Sequence, residues 1–129
     1  MTKSDDIMVV LKALKDSDER ISACMVARRG LEGLMMFPEH FKEEVSDVWE
    51  PLSRSLDDVL AMVARYSPVG MRRAYTEVLG YGAYFLVLEN SDTALIALVK
   101  SKEPLTDALA LVAKMDSSAK DIYKIMGLT

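Results

Sequence analysis

Hydrophobic positions near the start of the chain repeat every three or four residues, which is the period of an amphipathic helix. The stripe consists of Ile7, Val10, Leu11 and Leu14. Ser4 stands directly before two aspartates, and this order predicts that Ser4 is the N-cap of a first helix. The Asp-Ser-Asp sequence at 16–18 is expected to end it.

Two strand-like segments follow this helix. Residues 20–29, RISACMVARR, favour a strand, and the glycine turn at 30–33 leads to a short apolar run at 34–37 that Pro38 ends. These segments predict a first hairpin.

A longer helical stripe lies within residues 39–66. Its members are Phe41, Val45, Val48, Leu52, Leu56, Val59 and Val63. Pro51 lies inside this segment and removes one backbone donor, so the helix either kinks or consists of two helices joined at Glu50. We expect a kink.

Two further segments differ sharply in their polar content. Residues 71–78 mix charged and apolar residues, which is typical of an edge strand. The run 80–100, GYGAYFLVLENSDTALIALVK, holds two apolar stretches around a turn at 90–92, with almost no polar alternation. Since a strand with one wet face alternates, both faces of this hairpin must be covered.

A third helix is predicted near the end of the chain, where Pro104 suits a first helical turn and Gly127 a C-terminal cap. The predicted order is α-β-β-α-β-β-β-α, an α+β fold in a single domain spanning residues 1–129. Its five-stranded antiparallel sheet would have the second helix on one face and the first and third helices on the other. This profilin-like arrangement covers both faces of the apolar hairpin.

Composition excludes several classes of protein. The chain has 129 residues with one cysteine and one histidine, so neither an internal disulfide nor an ordinary zinc site is expected. A net charge of −4 with scattered basic residues argues against nucleic-acid binding. No apolar run approaches the roughly 18 residues that a membrane span needs, and the acidic start is unlike a secretory signal. We expect a cytoplasmic protein.

Residue types that support catalysis are present without the spacing that catalysis requires. Four carboxylates of the second helix belong to Glu43, Glu44, Asp47 and Glu50. We interpret them as a solvated face rather than a metal site or an acid–base pair. His40 suits a surface or cap position, and Cys24, in mid-strand, suits a buried thiol. No catalytic, cofactor-binding or metal-binding residue is predicted, and no glycine loop has the form that binds nucleotide phosphates.

The element order, the Gly30-Leu31-Glu32-Gly33 turn and the apolar hairpin at 80–100 resemble the roadblock / dynein light chain family over residues 5–127. The resemblance implies a small non-enzymatic protein that dimerises through its second helix and third strand. It also implies a platform for a Ras-like GTPase or for a motor complex. Independently of it, an edge strand offers unpaired donors and acceptors to a symmetry mate.

Eight residues of the second helix and third strand are predicted to form a dimer interface: Trp49, Leu52, Leu56, Leu60, Tyr66, Arg73, Tyr75 and Val78. Trp49, Leu60 and Tyr66 lie off the main helical stripe and are expected to touch the second subunit. Homodimer and heterodimer both remain open.

Three arginines are candidate contacts for an acidic partner: Arg28, Arg29 and Arg72. Protection of strand edges is the alternative role for them.

A small-molecule sensor similar to PAS or GAF domains is the alternative function. Its ligand would lie between the sheet and the second helix, against Tyr81, Tyr84 and Phe85. The densely apolar hairpin favours a filled core over such a pocket. An enzyme is a more distant alternative, because no nucleophile, base and orienting group can be assembled.

Overall fold

The computed structural model describes residues 2–28, 30, 32–88, 93–100 and 108–127. The helices are α1 (Lys3–Asp16), α2 (Phe41–Glu44), α3 (Trp49–Tyr66) and α4 (Ala108–Ile125). The strands are β1 (Ile21–Arg28), β2 (Glu32–Phe37), β3 (Arg73–Val78), β4 (Tyr81–Val87) and β5 (Thr93–Lys100). A 3₁₀ turn, Ser67–Val69, follows α3.

The strands form one antiparallel sheet in the order β2-β1-β5-β4-β3. Strand β5 is central, and residues 93–99 are all buried. The prediction that both faces of the apolar hairpin are covered is therefore confirmed. Strand β3 lies at one end of the sheet, which confirms it as an edge strand.

Helices cover the sheet on both sides. On one face, Leu11 of α1 and Met115 of α4 pack in a cluster with Leu95 of β5. On the other face, α2 and α3 pack with alternate residues of the same strands, as Leu56 does with Ile96. The predicted fold class is confirmed, with α2 as an additional short helix beside α3.

The N-cap of α1 differs from the prediction, which was wrong by two residues. Thr2 is the cap: its Oγ1 accepts from the Asp5 N–H at 3.1 Å, and the Asp5 carboxylate accepts from the Thr2 N–H at 3.4 Å. Such reciprocal bonds satisfy two amides at once. Ser4 is the second residue of the helix, because Asp5 stands three positions after Thr2 and can complete the box.

The predicted kink at Pro51 is also wrong, because the second helical segment is two helices. Residues 45–48 form turns between α2 and α3, and Pro51 is the third residue of α3. The first N–H groups of a helix have no partner within the helix, so a proline in the first turn costs no helical hydrogen bond. Its ring crowds the carbonyl four residues back, which here belongs to the turn before α3. The proline is thus accommodated by starting a new helix at Trp49 rather than by bending an old one.

The C-terminal cap at Gly127 is confirmed by its left-handed φ of 72° and by its N–H, which donates to the Lys124 carbonyl at 3.1 Å. The predicted turn at 90–92 and the predicted helix start at Pro104 lie outside the described residues. Among the helices that the structure describes, none is long and apolar enough to cross a membrane.

Candidate interaction surface

The outer edge of β3 carries backbone groups that point away from the sheet. The Val87 N–H donates to the Arg72 carbonyl at 2.8 Å, and the register then pairs Arg73 with Leu86 and Tyr75 with Tyr84. Bonded and non-bonded pairs alternate along an antiparallel ladder. The N–H and C=O groups of residues 73, 75 and 77 therefore face outward and can pair with another strand.

The side chains of the same three residues lie on the α4 face of the sheet. The Tyr75 ring packs on Tyr84 with a centroid distance of 4.6 Å, and its hydroxyl donates to the Glu77 carboxylate at 3.2 Å. Loss of solvation raises the pKa of Tyr75, and the Glu77 carboxylate adds to the effect. Tyr75 is still 39% exposed, so it offers an aromatic surface beside the free backbone edge.

Arg73 joins the edge strand to the last helix. Its Nη2 donates to both carboxylate oxygens of Asp116 on α4, at 2.7 and 2.8 Å. The two side chains are 56% and 38% exposed. Arg73, a predicted dimer contact, is therefore held on the α4 side of β3 and not on the α3 side.

Three of the predicted interface leucines belong to the core of the single chain. Leu52, Leu56 and Leu60 are buried in the cluster between α3 and the sheet. The expectation that Leu60 lies off the apolar stripe is wrong, since it is one α-helical turn from Leu56 and on the same face. A second subunit on α3 has to contact the opposite side of this helix.

The remaining predicted interface residues differ in exposure. Trp49 is half-buried against the same cluster, with the Lys42 ammonium 5.3 Å from its ring. Tyr66 is 43% exposed, and the Arg65 guanidinium lies 5.7 Å from its ring. Val78 ends β3, and its side chain lies outside the described part of the chain.

Two exposed apolar residues near Tyr66 were missed by the sequence prediction. Met62 is 40% exposed and precedes Tyr66 by one helical turn, and Val69 is 82% exposed in the 3₁₀ turn. The signal for Met62 was available, because residues four apart share a helix face and Met62 lies off the main stripe. Val69 follows Pro68, where no periodicity can be read. These three residues form the exposed apolar end of α3.

The candidate partner-binding arginines Arg28 and Arg72 lie at the same end of the sheet. Arg28 of β1 lies opposite Thr93 of β5, whose carbonyl accepts from the Leu88 N–H. The Arg72 carbonyl accepts from the N–H of the preceding residue, Val87 of β4. Three strand spacings of ~4.8 Å place the two positions about 14 Å apart. Both side chains are exposed, and Arg29 lies outside the described residues.

The pocket expected for a small-molecule sensor is not formed by the residues predicted for it. Tyr81 and Phe85 pack on the α3 side of the sheet, whereas Tyr84 packs on the α1 and α4 side. Alternate residues of a strand point to opposite faces, so Tyr84 cannot share a pocket with the other two. Phe85 is itself buried in the core.

The other titratable candidates occupy ordinary structural positions. The four carboxylates of 43–50 are exposed, but the break between α2 and α3 removes the single helix face expected for them. His40 Nε2 lies 2.8 Å from Glu44. Cys24 is fully buried, its thiol donates to the Leu11 carbonyl at 3.0 Å, and burial raises its pKa to about 12. Among the described residues, no three His, Cys, Asp or Glu side chains could hold a metal ion.

A five-stranded sheet with this strand order, enclosed by helices on both faces, defines a roadblock-like fold, and solved roadblock structures match it along almost the whole chain. MglB from Myxococcus xanthus superposes with a TM-score of 0.67 at 13% identity, covering 95% of this chain and 96% of that one. The gliding protein MglB from Thermus thermophilus gives 0.67 at 10% identity, covering 100% and 94%. A roadblock/LC7 domain from Streptomyces avermitilis gives 0.63 at 10% identity, covering 94% and 97%.

These similarities concern the fold. No family model matches the sequence, and no curated protein matches it. The resemblance proposed from the element order and the apolar hairpin is confirmed as a likeness of fold to roadblock domains.

Proposed function

We propose that this chain is a non-enzymatic, cytoplasmic interaction module that forms a homodimer and regulates or scaffolds a small Ras-like GTPase. The observation that carries the proposal is the unpaired outer edge of β3 in a roadblock-like fold. The family resemblance supports the GTPase as partner. In this proposal the module acts on its partner through surface complementarity, since the described residues form no set of reactive groups.

The edge of β3 is complementary to itself in one arrangement. When two copies of β3 run antiparallel with Tyr75 opposite Tyr75, Arg73 of each copy lies opposite Glu77 of the other. Directly opposed residues share a sheet face, so opposite charges meet at both positions. A twofold axis requires such self-complementarity of one patch.

Backbone pairing alone does not account for a stable dimer. Residues 73, 75 and 77 of two copies can exchange six hydrogen bonds, which contribute about 3–9 kcal/mol at about 0.5–1.5 each. Association costs about 4–15 kcal/mol in lost freedom. Apolar contact is therefore also required, and the exposed apolar end of α3, formed by Met62, Tyr66 and Val69, can supply it.

Tyr75→Pro tests the dimer, with molar mass measured by light scattering during gel filtration. Proline removes an outward N–H and no bond of the β3–β4 ladder, so the monomer should fold and the dimer mass should be lost. Tyr75→Val is the matched control, because it keeps the N–H and changes only the ring. An unchanged dimer mass in Tyr75→Pro contradicts this interface.

The GTPase is tested separately by a pull-down from the source cell's lysate, run in parallel with GDP and with a non-hydrolysable GTP analogue. A small GTPase retained in one nucleotide state supports the proposal, because only differential binding couples to a nucleotide switch. Retention of no GTPase in either state refutes this part while leaving the dimer result untouched.

A further inference from the structure

A groove of about 650 Å³ lies between α4 and the ends of β3 and β4, on the face of the sheet opposite α3. Leu86 and Leu88, both buried, form its apolar floor, and Ala119 and Tyr123 of α4 form one wall. Within the described part of the chain, its charged residues are Arg72, Arg73, Asp116 and Lys120. The groove therefore combines an apolar floor with a charged rim.

The described residues of the rim have a net charge opposite to that of the whole chain. The described residues of its lining carry three positive charges and one negative charge, so they sum to +2, whereas the whole chain carries −4. Asp116, the one carboxylate among these described residues, is already bound by both of its oxygens to Arg73. The electrostatic field at this groove thus favours an anionic partner.

An apolar pocket of about 250 Å³ continues the groove beyond the Arg73–Asp116 ion pair. Tyr75, Tyr84, Val112 and Met115 are among its lining residues. The two cavities share Arg73 and Leu86, so a ligand that crosses the ion pair reaches both. The cationic end and the apolar end therefore lie side by side.

We propose that these two cavities bind an acidic peptide segment of a partner protein that carries one large apolar anchor residue. The anchor enters the pocket beside Tyr75 and Val112, and the carboxylates of the segment face Lys120 and the arginines of the groove. The ion pair between the cavities is half-exposed. Exposed pairs are weak, so a peptide carboxylate can replace Asp116 on Arg73.

A peptide fits this surface better than a small molecule does. Pockets for small ligands enclose most of the ligand surface, whereas the rim here is solvent-exposed at Arg72 and Lys120. A chain segment can enter and leave such a groove at both ends. The peptide does not use the outward backbone groups of β3 that pair the subunits in the proposed dimer, although the side chains of Arg73 and Tyr75 take part in both contacts.

The test uses the full chain and a phage-displayed library of random 12-residue peptides as the probe. Enriched peptides are synthesised with a fluorescent label, and their affinity is measured by anisotropy at low and at moderate salt. We expect sequences with Asp or Glu near Leu, Ile, Phe or Trp. Binding should weaken with salt, as expected for a charged surface.

Three variants locate the site. Lys120→Glu reverses a charge in the groove and should weaken binding by tenfold or more. Asp116→Asn removes the competing carboxylate and should tighten binding by about two- to fivefold. Lys12→Glu, an equal charge reversal at an exposed position of α1, should leave the affinity unchanged.

The proposal is overturned by several results. These are the enrichment of no peptide, enrichment of peptides without carboxylates, or an equal loss in Lys12→Glu and Lys120→Glu. Displacement of the peptide by 10 mM inorganic phosphate at constant ionic strength would assign the site to free anions. A change in oligomeric mass in Lys120→Glu would assign it to a second copy of this chain.

Discussion

Asp18, in the turn between α1 and β1, is a buried carboxylate that contacts two basic side chains. Its side chain is only 6% exposed, and it accepts from Arg20 Nε at 2.9 Å, from Arg20 Nη2 at 2.6 Å and from the Arg20 N–H at 3.0 Å. Lys114 of α4 lies 3.5 Å from the same carboxylate and donates to the Ser17 carbonyl at 2.9 Å. The carboxylate therefore links the turn between α1 and β1 to α4.

The Asp18→Asn variant should lower the free energy of unfolding by about 2–3 kcal/mol at pH 7. A hydrogen bond to a charged group contributes about 1.5–3 kcal/mol, and removing one partner of a buried pair costs about 3–5 kcal/mol. The expected loss lies below the cost of breaking a fully buried pair, because the Arg20 side chain is 23% exposed and can be rehydrated. The neutral amide also keeps one acceptor oxygen for Arg20.

The loss should also depend on pH in a defined direction. The Arg20 hydrogen bonds hold the pKa of Asp18 far below its usual value, against the opposing effect of burial. The folded state therefore binds fewer protons here than the unfolded state, whose carboxyl titrates near pH ~3.9. The contribution of Asp18 is complete above about pH 5 and declines as pH falls through and below ~4.

Urea unfolding followed by circular dichroism at pH 7, 5 and 3 measures both effects. Asp121→Asn on the exposed face of α4 is the matched control and should change stability by less than ~0.5 kcal/mol. An equal loss in both variants would refute the reasoning. So would a difference between wild type and Asp18→Asn that does not shrink at pH 3.

Three smaller predictions follow from single residues. Leu79 precedes Gly80 in the β3–β4 turn and has a φ of 49°, so Leu79→Asn should raise the free energy of unfolding by about 1 kcal/mol in urea titrations. A Cβ at Gly82 would lie 2.8 Å from the Tyr75 hydroxyl, so Gly82→Ala should lower the free energy of unfolding by about 1 kcal/mol. The loss should be smaller in a Tyr75→Ala background, which a double-mutant cycle measures. Cys24 should react with Ellman's reagent at pH 8 only along the unfolding transition, because burial raises its pKa to about 12; rapid reaction of the native protein would contradict its placement.

The fold was predictable where burial left a simple pattern. The hairpin at 80–100 lacks polar alternation because residues 83, 85–88 and 93–99 have helices on both sides, and this requirement predicts the layered architecture. The helix boundary near Pro51 was not predictable in the same way. The apolar spacing continues through residues 45–48, since a turn can bury the same residues as a helix.

The site was less predictable because interface and core use the same residue types. Leu52, Leu56 and Leu60 were predicted as dimer contacts on the basis of their helix, yet they pack against the sheet of their own chain. The sequence of a helix shows which residues are apolar, but it does not show whether the chain's own sheet or a second subunit covers them. Arg73 was missed as an internal contact because its partner, Asp116, is 43 positions away in the sequence.

The charges of β3 can be understood as serving two requirements at once. Arg73 and Glu77 flank Tyr75 on one face of an exposed edge, and such charges discourage pairing with an arbitrary strand. A parallel in-register copy would set Arg73 opposite Arg73 and Glu77 opposite Glu77, which is destabilising. Only the antiparallel arrangement centred on Tyr75 turns both positions into opposite-charge pairs. Edge protection and the selection of a matching strand are therefore compatible functions of Arg73 and Glu77.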